Sequence, residues 1–123
     1  MPKKILIVDD EPDIIKITRY WLIKQGYEVL IVSNGQEGIN AAREHKPDVI
    51  VMDYRMPVLN GIDACKILKQ DETLKHIPII FMTASSANIT EEMLKQVGVD
   101  GYVSKPFDGE ELLKKIERFV DKK

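Results

Sequence analysis

Asp9 and Asp10 follow the apolar run Ile5–Val8, Asp53 follows Val49–Met52, Thr83 follows Ile79–Met82, and Lys105 comes after the run Tyr102-Val103. If these runs are parallel strands of one sheet, their carboxyl ends share an edge and the five groups meet there. Three carboxylates at one spot repel one another unless cations join them. Lys105 supplies one positive charge, and a divalent metal would supply the rest. With no histidine or thiolate among them, these hard oxygen donors suit an octahedral Mg²⁺ that keeps its waters and takes a phosphate oxygen. A carboxylate beside such an ion can attack phosphorus to give an aspartyl-phosphate, a reaction that asks mainly for positioning and charge neutralisation. Asp53, on the central strand, is the best candidate nucleophile. Asp9 and Asp10 would hold the metal, Lys105 would pair with the phosphoryl oxygens, and Thr83 would donate a hydrogen bond to another. Singly, each has a plainer reading: Asp10 as a helix cap, Thr83 as a strand end, Lys105 as a solvated cation. Together, four strand ends carrying the side chains of one reaction favour the chemical reading, although spacing alone does not fix which acid is phosphorylated.

The 123 residues are enough for one domain that buries about two thirds of its unfolded surface. A composition of 44% hydrophobic and 31% charged residues excludes a disordered chain, and no apolar run is long enough to span a membrane. The net charge of -2, with acids and bases interspersed, argues against direct nucleic-acid binding. The start of the chain lacks a signal-peptide core, and the single Cys65 cannot form an internal disulfide, so a cytoplasmic location is expected. No CxxC or HExxH occurs, and His45 and His76 are the only histidines, which leaves zinc and thiol chemistry little to work with.

Short β-rich runs alternate with longer segments of helical period, the pattern of βα units on a parallel sheet. The expected strands are Lys4–Val8, Glu28–Val32, Asp48–Met52, Ile77–Met82 and Asp100–Val103, the third and fourth apolar enough to lie in the middle. A first helix opens at Pro12, with Asp10 or Glu11 supplying an acceptor near the cap, and closes at Gly26. Ile14, Thr18, Trp21, Leu22 and Gln25 trace its inner stripe, leaving Ile17, Tyr20 and Ile23 on the flanks. Further helices are expected from Gly35 to His45, after Asn60-Gly61, from about Ile89 to Val97 with a left-handed cap at Gly98, and from near Asp108 through Val120. In the third of these five helices, Ile62, Cys65 and Leu68 read as a core stripe, so Cys65 is a buried small hydrophobe. Right-handed crossovers then give an α/β, doubly wound, five-stranded parallel sheet in the order 2-1-3-4-5, a flavodoxin-like (βα)5 fold with its crevice between strands one and three.

With these residues in place, the chain resembles the receiver domain of two-component response regulators over essentially its whole length, as a single domain of residues 1–123. The matching stretches are Ile5-Leu6-Ile7-Val8-Asp9-Asp10-Glu11, Val49-Ile50-Val51-Met52-Asp53 leading to Met56-Pro57 and Asn60-Gly61, Met82-Thr83-Ala84, and Lys105-Pro106-Phe107. The spacings agree too: Thr83 stands 30 residues after Asp53, and Lys105 stands 22 after Thr83. The resemblance implies that Asp53 accepts a phosphoryl group from a sensor histidine kinase or phosphotransfer protein. Mg²⁺ would be held by Asp10, Asp53 and the backbone carbonyl of Arg55, with Asp9 acting largely through water. It implies a phosphoacceptor that assists its own phosphorylation and slow dephosphorylation rather than an enzyme. It also implies a switch: Thr83 moves toward the phosphoryl group, Tyr102 turns inward, and the surface of helix four, strand five and helix five, including 87–95, changes for an effector. A cis Lys105-Pro106 bond and a monomer or weak dimer belong to the same expectation.

Leu59 and Val99 depart from the family's common residues in ways that packing tolerates. A flavodoxin-like cofactor carrier would need a phosphate-cradling loop after strand one, where this chain has Asp9-Asp10-Glu11-Pro12. A haloacid-dehalogenase-like phosphatase would need an acid at 55, where Arg55 stands. A metal-binding or flavodoxin-like module without phosphotransfer, or a pseudo-receiver that only binds, are the remaining alternatives. Arg55 and Ser85 flank the expected path of attacking water. Arg55, long and cationic, is expected to crowd that path, so Arg55→Ala should speed phosphate release; an unchanged release rate would contradict this.

Overall fold

The computed structural model describes residues 2–54, 59–84, 91–105 and 109–120, and the structural statements below concern these residues. Strands and helices alternate along them: β1 (Lys4–Val8), α1 (Pro12–Lys24), β2 (Glu28–Val32), α2 (Gly35–His45), β3 (Val49–Asp53), α3 (Gly61–Gln70), β4 (Ile79–Ala84), α4 (Glu91–Val97), β5 (Gly101–Lys105) and α5 (Gly109–Val120). All strand pairs are parallel, in the order β2-β1-β3-β4-β5, the doubly wound arrangement that the alternation of runs predicts.

Successive side chains on a strand point to opposite faces, and the two cores follow from this. On one face Ile5, Ile7, Val49, Val51, Ile80 and Met82 pack against Leu22 of α1 and Leu112, Leu113 and Ile116 of α5. On the other, Leu6, Val8, Ile50, Met52 and Phe81 pack against α2, α3 and α4 through Ile39, Ala64, Leu68 and Leu94. The winding reverses between β1 and β3, and their carboxyl ends open a crevice there.

Three strands lie further toward their carboxyl ends than the sequence predicts. β3 runs to Asp53, β4 begins at Ile79 rather than Ile77, and β5 runs from Gly101 to Lys105 rather than from Asp100 to Val103. Pro78 has no N–H for the ladder, and the Ile77 N–H is turned to the Leu74 carbonyl at 3.0 Å. At the other end, the registers Asp53 to Met82, Thr83 to Ser104 and Ala84 to Lys105 extend the pairing. Asp53, Thr83 and Lys105 are therefore held by the sheet itself and not by loops.

The start of α1 also differs. Glu11 occupies the cap without a side-chain cap bond, and it is the carboxylate of Asp9, not of Asp10 or Glu11, that accepts the Glu11 N–H at 2.9 Å. Of the inner stripe, Thr18 and Leu22 are buried while Gln25 is exposed, and Ile17, Tyr20 and Ile23 are exposed on the outer flank. Helix ends obey their glycines, with Gly26 and Gly98 at φ of 89° and 91°. Cys65 is buried, and burial pushes its thiol up to about 11, which fits a packing role. Positions 87–90, the Lys105-Pro106 junction with Phe107, and Asp108 lie outside the described residues.

Gly61 opens α3 directly against the end of β3. Its N–H donates to the Tyr54 carbonyl at 3.0 Å, and a Cβ there would stand 2.7 Å from the Asp53 carbonyl oxygen. Gly61→Ala should therefore displace the strand end and cost about 1–3 kcal/mol, typical of overpacking. Urea denaturation measures this as a lower midpoint; a midpoint equal to wild type would contradict it.

Candidate functional site

At the carboxyl edge of the sheet, Asp9 and Asp10 leave the end of β1 and Asp53 is the last residue of β3. One carboxylate oxygen of each lies within 4.8 Å of the others. Asp9 and Asp53 are buried, at 0% and 5% exposure, while Asp10 faces solvent. β5 ends at Lys105, whose ammonium donates to Asp53 Oδ2 at 3.2 Å and to Glu11 Oε1 at 2.7 Å, with Asp9 Oδ2 4.0 Å away. Thr83, 5% exposed near the end of β4, donates to the Val103 carbonyl at 3.5 Å, a long contact that holds the hydroxyl loosely. The five groups that the sequence singles out thus gather on one sheet edge, the three acids close together and the lysine bonded to Asp53 and 4.0 Å from Asp9.

Burial and charge together set the local protonation. Burial, then the neighbouring charge of Asp53, raises the Asp9 carboxyl from 3.8 to about 6 against the pull of the Glu11 N–H and Lys105. Burial alone would favour neutral Lys105, but the hydrogen bond to Glu11 and the charges of Asp53 and Asp9 outweigh it and hold the ammonium above its usual 10.5. Asp9 Oδ1 is used by the Glu11 N–H, whereas the buried Asp9 Oδ2 has no hydrogen-bond partner among the described residues. An ionised oxygen in that position is costly unless a cation approaches it. The donor set fits a small hard dication: three carboxylates, within reach of one another, one of them with an unsatisfied buried oxygen.

Tyr102 lies apart from this cluster. It is half-buried, its ring 5.9 Å from the Lys115 ammonium, and with Leu94 and Val99 it lines a groove of about 250 Å³ between α4, β5 and α5. Arg55 and Ser85 lie outside the described residues. Glu11 is the site residue that the sequence reading misses. Its place next to Asp9-Asp10 was the available signal, but its tie to Lys105 spans 94 positions.

Residues 5–117 match the family model of the response regulator receiver domain. The polar-differentiation response regulator DivK of Brucella anthropi is 38% identical over 120 residues, covering 98% of each chain. The receiver domain of sensor histidine kinase PA1611 from Pseudomonas aeruginosa, with a magnesium ion coordinated in its active-site cleft, is similar with a TM-score of 0.90 and 31% identity, over 99% of this chain and 100% of that one. The receiver domain of the Saccharomyces cerevisiae response regulator Ssk1, crystallised with the histidine phosphotransfer protein Ypd1, gives 0.88 and 28%, over 98% and 90%. Among the described residues, no helix is long and apolar enough to cross a membrane.

A carboxyl whose folded value is raised binds more protons in the folded than in the unfolded state between its two values, so it destabilises the fold as pH rises through that window. For Asp9 the window runs from 3.8 to about 6. In metal-free protein, Asp9→Asn should raise the melting temperature at pH 7 by several degrees, since each pKa unit is worth about 1.4 kcal/mol. The gain should shrink toward pH 4. Thermal melts in chelator check this, and a gain independent of pH would contradict it.

Proposed function

The chain belongs to the response regulator receiver domain family, a phosphoacceptor signalling domain, and from that premise we propose that Asp53 takes the phosphoryl group from a phosphohistidine on a sensor kinase or phosphotransfer protein. The observation that carries this reading is the contact of Lys105 with Asp53 on a buried strand end beside two further acids. An Asp53 oxygen forms the bond to phosphorus while the N–P bond of the donor breaks, its electron pair remaining on the imidazole. Lys105 offsets the charge of the transferred phosphoryl oxygens, and Thr83 exchanges its long bond to the Val103 carbonyl for one to the phosphoryl group. Mg²⁺, held by Asp10 and Asp53 with Asp9 beside them, would draw charge from the phosphoryl oxygens and bring donor and acceptor together. The magnesium ion in the PA1611 receiver domain supports that assignment. The family resemblance adds the Arg55 carbonyl as a further ligand.

The domain assists its own phosphorylation and slow dephosphorylation through these groups. Thr83 and Tyr102 form the switch: β4 carries the first, β5 the second, and the groove beside Tyr102 belongs to the face that rearranges for an effector. The complex of the Ssk1 receiver domain with Ypd1 supports a phosphotransfer protein or kinase as the donor. Residues 1–123 form one receiver domain in this reading, set in the cytoplasm.

Incubation with acetyl phosphate and Mg²⁺, followed by intact mass, should add one phosphoryl group to wild type and none to Asp53→Asn. Chelator should abolish the addition. An adduct of equal yield on Asp53→Asn would move the acceptor to another side chain.

A further inference from the structure

Lys105 is shared. Its ammonium lies 2.7 Å from Glu11 Oε1 and 3.2 Å from Asp53 Oδ2, so the shorter bond is the one made outside the set of groups assigned to phosphoryl transfer. The two carboxylates differ in setting. The Asp53 side chain is 7% exposed, the Lys105 side chain 14%, and the Glu11 side chain 56%. Glu11 can therefore let go and be fully solvated, whereas Lys105 and Asp53 stay where the strands hold them. An ion pair with one partner this exposed is easily exchanged, since water and salt recover most of what the bond supplies. The backbone sets the geometry: the Glu11 N–H is fixed by Asp9 Oδ1 at 2.9 Å, and Pro12 starts α1 one residue later, so the Glu11 side chain leaves from an anchored Cα at the rim of the crevice.

We infer that Glu11 is a positioning residue that acts through Lys105, an exchangeable counter-ion that holds the ammonium at the mouth of the site and must release it before Lys105 can serve the phosphoryl group. The inference rests on the proposed phosphorylation of Asp53. In the resting protein, Glu11 and Asp53 divide the ammonium between them. When an Asp53 oxygen attacks acetyl phosphate, the P–O bond to acetate breaks and acetate leaves with the electron pair. The three phosphoryl oxygens now on Asp53 then compete for Lys105, and Glu11 turns to water. Glu11 thus sets the resting side of the exchange, and removing its charge leaves Lys105 free for the incoming group.

The test compares wild type, Glu11→Gln and Asp13→Asn, all as the full chain. Asp13 is an exposed acid in the first turn of α1, so it controls for the loss of one negative charge near the site. Phosphoryl uptake is read by intact mass with acetyl phosphate and saturating Mg²⁺. Lys105 ammonium proton exchange is read separately by NMR of lysine-labelled protein without Mg²⁺ or donor. Glu11→Gln should take up phosphoryl about three- to fivefold faster and should speed ammonium exchange, with Asp13→Asn at wild-type values in both. Unchanged or slower uptake in Glu11→Gln, or an equal gain in Asp13→Asn, would overturn the inference, the latter because it would show general charge repulsion of the donor. Unchanged ammonium exchange would overturn it independently of any phosphorylation. Absence of an adduct on wild type would instead refute the assignment of Asp53, while the NMR comparison would still report whether Glu11 holds Lys105.

Discussion

Asp9 and Asp53 are held side by side by the sheet, with Asp10 next to them, and the two buried carboxylates cannot separate to relieve their repulsion. That constraint governs the site. Asp9 and Asp53 are buried; the Asp9 N–H is tied to the Val32 carbonyl of β2 at 3.0 Å and Asp53 is paired with β4, so the fold gathers negative charge at one edge. Lys105 neutralises part of it from β5, and burial, with the charge of Asp53 added, raises the Asp9 carboxyl. A site built this way favours a cation at rest, and in the proposed function that cation would accompany the arriving phosphoryl group. In the proposed function, charge added to Asp53 would redistribute the ammonium of Lys105, and Lys105 ends the strand that carries Tyr102.

The opposite edge of the sheet is tied down by different means. Asp100 Oδ2 accepts both the Ile79 N–H at 2.8 Å and the Lys69 ammonium at 2.9 Å, and Lys69 also donates to the Ile77 carbonyl at 3.1 Å. These bonds fix the starts of β4 and β5 against the end of α3. The carboxyl ends of the same two strands, with Thr83 and Lys105, lie at the other end of the sheet, on the side of Asp53.

Much of this was readable from the chain because apolar runs and polar strand ends are local features. Val49–Met52 announces a central strand, and Asp53 after it announces a polar end at the crevice. Strand limits were less legible, because parallel pairing is decided by neighbours far along the chain. Asp53, Thr83 and Lys105 prove to be inside their ladders through partners such as Met82 and Ser104. Glu11 shows the same limit more sharply. Locally it looks like the acceptor that starts a helix, yet Asp9 makes the bond to its N–H and its own carboxylate goes to a lysine on the fifth strand. Only the closed sheet brings those two ends together.

The central claim is that the clustered acids form one divalent-cation site, and substoichiometric Mn²⁺ added to isotope-labelled protein tests it most directly. Paramagnetic broadening centred on the backbone amides of residues 9–11 and 53–54, and reversed by excess Mg²⁺, is the predicted result. Broadening spread over exposed acids such as Glu44, Glu72 and Glu110, with the β1 and β3 ends no more affected than the rest, would contradict the account.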